Sequence, residues 1–83
     1  MRIDVAIHEL RLLKSRSQAQ AAVQDGRVLL NGERVKPSHE LRAGDRLTFL
    51  SDVHAPRTLE VVELPTRSLS KDAAKALVRE VTG

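Results

Sequence analysis

The dipeptide Asn31-Gly32 constrains this chain more than any other feature. It joins two β-prone runs, Arg27–Leu30 and Glu33–Val35. A two-residue Asn-Gly link selects a type I′ turn, because both central positions of that turn need positive φ. The chain must therefore reverse direction here, with Val28 and Leu30 on one face and Leu29 on the other. Just upstream, Gly26 stands where a left-handed helix cap belongs. The segment before it carries two overlapping capping boxes, Ser15-x-x-Gln18 and Ser17-x-x-Gln20, either of which starts a helix. Ala19, Ala22 and Val23 give that helix a small apolar face.

Earlier still, Ile3, Ala6, Ile7 and Leu10 recur at helical spacing. Asp4 suits the N-cap or the first turn of that helix, and Arg11 and Lys14 suit its C-terminal end. Downstream, Pro37 ends the ladder, and residues 38–45 read as an irregular turn closing at Gly44-Asp45. Residues 46–50 and 57–64 alternate as strands, through Leu47 and Phe49 and through Leu59 and Val61, with a loop at 51–56. Ala74, Leu77, Val78 and Val81 form a stripe that predicts a C-terminal helix over about 70–81. Ser68 or Ser70 would cap it, and Asp72 suits its first turn. The expected class is α+β: two N-terminal helices packed on a small antiparallel sheet with an Asn-Gly hairpin, plus a C-terminal helix. The 83 residues suit one domain spanning 1–83, with a motif core at 2–50.

The chain has no cysteine, so a disulfide framework and a thiolate zinc site are both excluded. His8, His39 and His54 are dispersed. His8-Glu9 begins like a zincin helix, but Leu12 stands where the second histidine belongs. The glycines match neither a dinucleotide fingerprint nor a P-loop, there is no nucleophile elbow, and Thr82-Gly83 lacks the Gly-Gly end of a sulfur carrier. The expectation is a protein that is not an enzyme, with no catalytic residues, metal or cofactor. No apolar run is long enough to span a membrane, and the N-terminus makes a poor signal peptide. A cytoplasmic monomer with no membrane partner is expected.

Charge is informative by position. The net charge is +3. Residues 1–36 hold seven Lys/Arg against four Asp/Glu, and residues 37–83 hold seven of each. The excess therefore lies wholly in the first half, as a polyanion partner would select for. Arg11, Lys14 and Arg16 cluster at the junction of the two helices, where the start at Ser15–Gln18 offers backbone amides to a phosphate. Arg27, Arg34 and Lys36 come from the hairpin. If the hairpin folds back beside the second helix, both sets share one phosphate-binding face.

In this order, "KSRSQA", "DGRVLLNG", "VKPS" and "AGD" resemble the RNA-binding domain named after the fourth protein of the small ribosomal subunit, the S-four or alpha-L domain. The resemblance spans residues 11–47, with Arg2–Asp4 added. It implies a helix–helix–hairpin face for structured RNA, lined by Arg2, Arg11, Lys14, Arg16, Ser17 and Gln18 and, on the hairpin side, by Arg27, Arg34 and Lys36. Gly26, Asn31, Gly32, Gly44 and Asp45 match the family's structural turns. Among stand-alone members the chain is similar to the small ribosome-associated heat-shock proteins. That likeness implies ribosomal RNA or tRNA as target, on large subunits holding a stranded peptidyl-tRNA. Two features differ from that group: Val5, Ala6, Ile7 and His8 replace its lysine and tryptophans, and residues 68–83 are nearly neutral rather than a basic tail.

There is no Trp or Tyr, and Phe49 is the single aromatic. Readers of single strands stack bases on aromatics, so a folded RNA is the expected target. Two alternatives are a DNA-binding helix-turn-helix with residues 16–25 as recognition helix, and a protein–protein adaptor using the stripe at Ala74–Val81.

Overall fold

A computed structural model describes residues 1–66 and 69–81. The elements run α1 (Ile3–Glu9), α2 (Arg16–Gln24), β1 (Val28–Leu30), β2 (Arg46–Phe49), β3 (Arg57–Val61), α3 (Lys71–Lys75) and β4 (Val78–Val81). The four strands form an antiparallel meander in sequence order, and α1 and α2 pack on it. The α+β class and the pair of N-terminal helices are as the sequence implies.

The core joins Ile3, Ala6, Ile7 and Leu10 of the first helical segment to Ala19 and Val23 of α2. Beneath them lie Val28, Leu30, Leu47 and Val61 from the sheet. Register follows the alternation: Leu30 lies opposite Leu47, and Leu47 opposite Leu59, so the apolar rows stack on one face. Leu41, in the long connection between β1 and β2, is also fully buried in this core.

Of the two capping boxes, the first is used. Ser15 Oγ accepts the Gln18 amide at 3.1 Å and starts α2. The helix stops at Gly26, whose φ is +77°. There the Gly26 amide donates to the Val23 carbonyl and the Arg27 amide to the Ala22 carbonyl, the paired bonds of a Schellman cap.

The first helix starts differently. No side chain caps it from Arg2. Instead the Ile3 amide donates to the His39 carbonyl (2.8 Å) and the Asp4 amide to the Pro37 carbonyl (3.3 Å). The Val5 amide donates to Asp4 Oδ1 (2.8 Å). Of the four donors that a helix start leaves open, these three are thus satisfied, two of them by the β1–β2 connection. The Leu41 amide donates to the Met1 carbonyl in turn, which pins residues 37–41 along the N-terminus.

Two expectations need correction. The Asn31-Gly32 turn is present, with φ of 51° and 82° and reciprocal bonds between Leu30 and Glu33. Its second arm, however, makes only the single Leu30–Glu33 bridge. The sheet partner of β1 is β2, because residues 34–41 leave the sheet to cap α1. The helix expected over about 70–81 ends at Lys75, and Val78–Val81 form β4, paired with β3. The Ala74–Val81 stripe therefore does not lie on one helix: Ala74 is buried, and Leu77 and Val78 pack against the core. Ser70 caps α3 through the Ala73 amide. Ser68, the other expected cap, lies outside the described residues.

Candidate nucleic-acid interface

Asp4 organises the cations around the start of the chain. It is completely buried. Arg2 meets it fork-on-fork, Nε to Oδ1 and Nη2 to Oδ2, both at 3.1 Å. Arg16 Nε lies 3.9 Å from the same Oδ2. One carboxylate beneath the surface thus aims two half-exposed guanidiniums outward from α1 and α2. Bidentate geometry fixes direction as well as charge.

Arg34 is mounted by backbone. Its Nη2 donates to the Gln24 carbonyl at 2.9 Å, one of the carbonyls left open at the C-terminal end of α2. The guanidinium crosses directly over Gly26, where a Cβ would stand 2.9 Å from Arg34 Nε. The glycine thus serves both the positive φ of the cap and the approach of this arginine.

These mounts place the side chains in two valleys on either side of α2. One open groove is lined by Arg2, Gln20, Gln24, Arg34, Lys36 and Ser38, with Val35 and Pro37 as its apolar part. Arg16, Gln20 and Gln24 follow one another at i, i+4 and i+8 along that flank. The other valley is lined by Arg11, Lys14, Gln18 and Lys71 over Leu12 and Leu13. Gln18 and Gln20 are about 160° apart around the helix at 3.6 residues per turn, and so they belong to opposite flanks. The ridge between them carries exposed Ser17 and Ala21. Lys14, Lys36 and Lys71 form no ion pair among the described residues.

The residues named from sequence therefore divide. Arg2, Arg16, Arg34 and Lys36 gather on one side of α2, and Arg11, Lys14 and Gln18 on the other, with Ser17 between. Ser15 has its hydroxyl engaged as the α2 cap. Arg27 is placed apart, paired with Asp25 at 3.1 Å and bordering a shallow depression with Leu50–Val53. Sequence reasoning missed Gln20 and Gln24, although their spacing from Arg16 was a usable signal. It also missed Lys71, for which no local signal exists.

Among the described residues there is no cluster of potential metal ligands, and no helix is long and apolar enough to cross a membrane.

Residues 1–47 match the model of the S4 domain, the S-four domain of the motif resemblance. The chain is 32% identical over 74 residues to the RQC P-site tRNA stabilizing factor of Bacillus subtilis, covering 89% of this chain and 85% of that protein. It is 36% identical over 67 residues to small ribosomal subunit protein uS4 of Gloeobacter violaceus, covering 77% of this chain but 32% of that longer protein. Among solved structures, the trimeric Heat Shock Protein 15 of Vibrio cholerae aligns with a TM-score of 0.87 and 31% identity, over 98% of this chain and 81% of that one. The domain match takes in α1, α2, β1 and the capping connection, the elements that mount the cations on both flanks of α2. With more than half of its length matched in this way, the chain belongs to the S4 domain family.

Proposed function

We propose that this protein binds folded RNA of the ribosome, ribosomal RNA or tRNA, without catalysing a reaction on it. The observation that carries the reading is the pair of cationic valleys flanking α2, with Arg2 hydrogen-bonded to a buried carboxylate and Arg16 at ion-pair distance from it. An α-helical ridge with a cationic valley on each side fits two phosphate strands, and such contacts give affinity and position rather than base identity. Similarity to a ribosomal subunit protein and to a P-site tRNA stabilizing factor supports a ribosomal target, with the large subunit as candidate particle and the cytoplasm as the place of action. The ridge itself, Ser17 and Ala21, has little with which to read base edges, which counts against the DNA helix-turn-helix reading.

The test is a salt titration of binding to a labelled stem-loop RNA, with duplex DNA in parallel. Lys14→Ala, Arg16→Ala and Arg34→Ala should each weaken binding and flatten the slope of log affinity against log salt by about 0.7–0.9 per lost contact. Arg27→Ala, already paired with Asp25, should change both less. Parent-like slopes for the first three variants, with folding intact, would overturn the reading. Equal or tighter binding to duplex DNA would favour the helix-turn-helix alternative.

A further inference from the structure

Building on the RNA-binding reading above, we infer that α3 is part of the same interface: Arg11 straps the chain after residue 68 against the helix junction, so that Lys71 becomes a phosphate contact beside Lys14. Lys71 lies outside the stretch matched by the domain model, which ends at residue 47.

The strap is specific. Arg11 holds a φ of 60°, the left-handed region that residues with a Cβ enter only at a cost. In that conformation its Nε and Nη2 both donate to the Leu69 carbonyl, at 3.0 and 2.9 Å, across 58 residues of chain. On the other side of Leu69, the Ser70 hydroxyl accepts the Ala73 amide and starts α3. Lys71 follows directly and is fixed from both directions. Its side chain enters the valley that Lys14 and Gln18 line from the α2 side. Half-buried Leu12 and Leu13 give the lysine stems an apolar floor, leaving the ammonium groups at the rim.

Neither ammonium forms an ion pair among the described residues, whereas the nearby Arg57 is closed by Glu80 at 2.7 Å. Two like charges held in one valley repel each other, and an anionic ligand between them removes that repulsion. Covering the leucines needs only the methylenes of the stems. The charges are what a phosphate would use. Arg11 is, on this view, a positioning residue whose guanidinium is largely occupied by the strap.

The experiment uses the whole chain, the same stem-loop RNA, and the variants Lys71→Gln, Lys71→Arg, Lys14→Gln, Arg11→Gln and Arg11→Gln/Lys71→Gln. Lys71→Gln should weaken binding and flatten the log–log salt slope by about 0.7–0.9, and Lys71→Arg should restore both. In the Arg11→Gln background the effect of Lys71→Gln should shrink, because the strap is released. Should Lys14→Gln flatten the slope while Lys71→Gln leaves it unchanged, the inference fails and the RNA-binding reading survives. If neither variant changes the slope, the valley of Lys14 and Lys71 is no contact and the inference fails, while the RNA-binding reading stands or falls with Arg16→Ala and Arg34→Ala. An undiminished effect of Lys71→Gln in the Arg11→Gln background would overturn the strap.

Discussion

One arrangement, a single carboxylate shared by two arginines, occurs twice in this molecule with different results. On the outer face of the sheet, Glu60 receives Arg79 Nη2 at 3.0 Å and Arg46 Nε at 3.8 Å. At the helix junction, Asp4 receives Arg2 and Arg16. Glu60 is partly exposed, at 22%, whereas Asp4 is at 0%. Strand register alone sets the first cluster: Glu60 lies opposite Arg46 on one side and Arg79 on the other, and the adjacent Thr48 and Thr58 hydroxyls bond to each other. Each of these charges has an opposite partner beside it. The second cluster is anchored from below and lies close to Arg34 and Lys36, which have no acid partner among the described residues. Equal local stoichiometry therefore says little about function. What distinguishes the proposed binding face is a buried counter-charge that sets direction, beside cations left without one.

The sharpest way to break this comparison is to remove the buried anchor. Asp4→Ala deletes the acceptor of the Val5 amide and of both Arg2 bonds. Charge-assisted hydrogen bonds of this type contribute about 1.5–3 kcal/mol each. Three are lost, although the freed guanidiniums still reach water, so the loss by urea unfolding should be at least of that size. RNA binding should weaken too, although a negative charge has been removed from the face. Tighter binding would mean that Asp4 merely neutralises Arg2 and Arg16 and does not position them.

A smaller effect separates backbone strain from arginine placement. Gly26 and Gly32 both have left-handed φ, +77° and +82°. Alanine at either should cost roughly 1–2 kcal/mol. Only at Gly26 does the new Cβ meet Arg34; at Gly32 nothing lies within 4 Å. Gly26→Ala should therefore weaken RNA binding beyond its stability loss, and Gly32→Ala should not. Identical binding by the two variants, measured well below their melting temperatures, would detach Arg34 from the interface.

The parts of this design that were legible in the sequence are the locally encoded ones. Ser15, Gly26 and Asn31-Gly32 set φ and hydrogen bonds within a few residues, so the helix and the turn were readable. Leu41 was not, because a buried residue in an irregular connection has no periodicity to betray it. Val78–Val81 is not legible as a strand, because Ala74, Leu77, Val78 and Val81 fit a helical period. Pairing with the open edge of β3 decides the outcome, and β-branched residues follow that context. The cations were readable as a set but not as an arrangement. Nothing local says that Arg27 lies apart from Arg34, or that the distant Lys71 joins Lys14. Those relations exist only after the β1–β2 connection has capped α1 and Arg11 has taken hold of Leu69.

The smallest expected effect sharpens the comparison from the other side. Arg79→Ala removes a cation that is two-thirds exposed and paired with Glu60 on the outer face of the sheet. Exposed pairs contribute about 0–1 kcal/mol, and Arg46 stays beside Glu60 after the substitution, so stability should change little. The net charge nevertheless falls by one unit, as it does in Lys14→Ala. If RNA is attracted by total charge alone, the two variants should flatten the salt slope equally. If the contacts are those at the flanks of α2, only Lys14→Ala should flatten it, and Arg79→Ala should retain the parent slope and affinity. Matching slopes in the two variants would show that the asymmetry between the helix junction and the sheet has no consequence for binding.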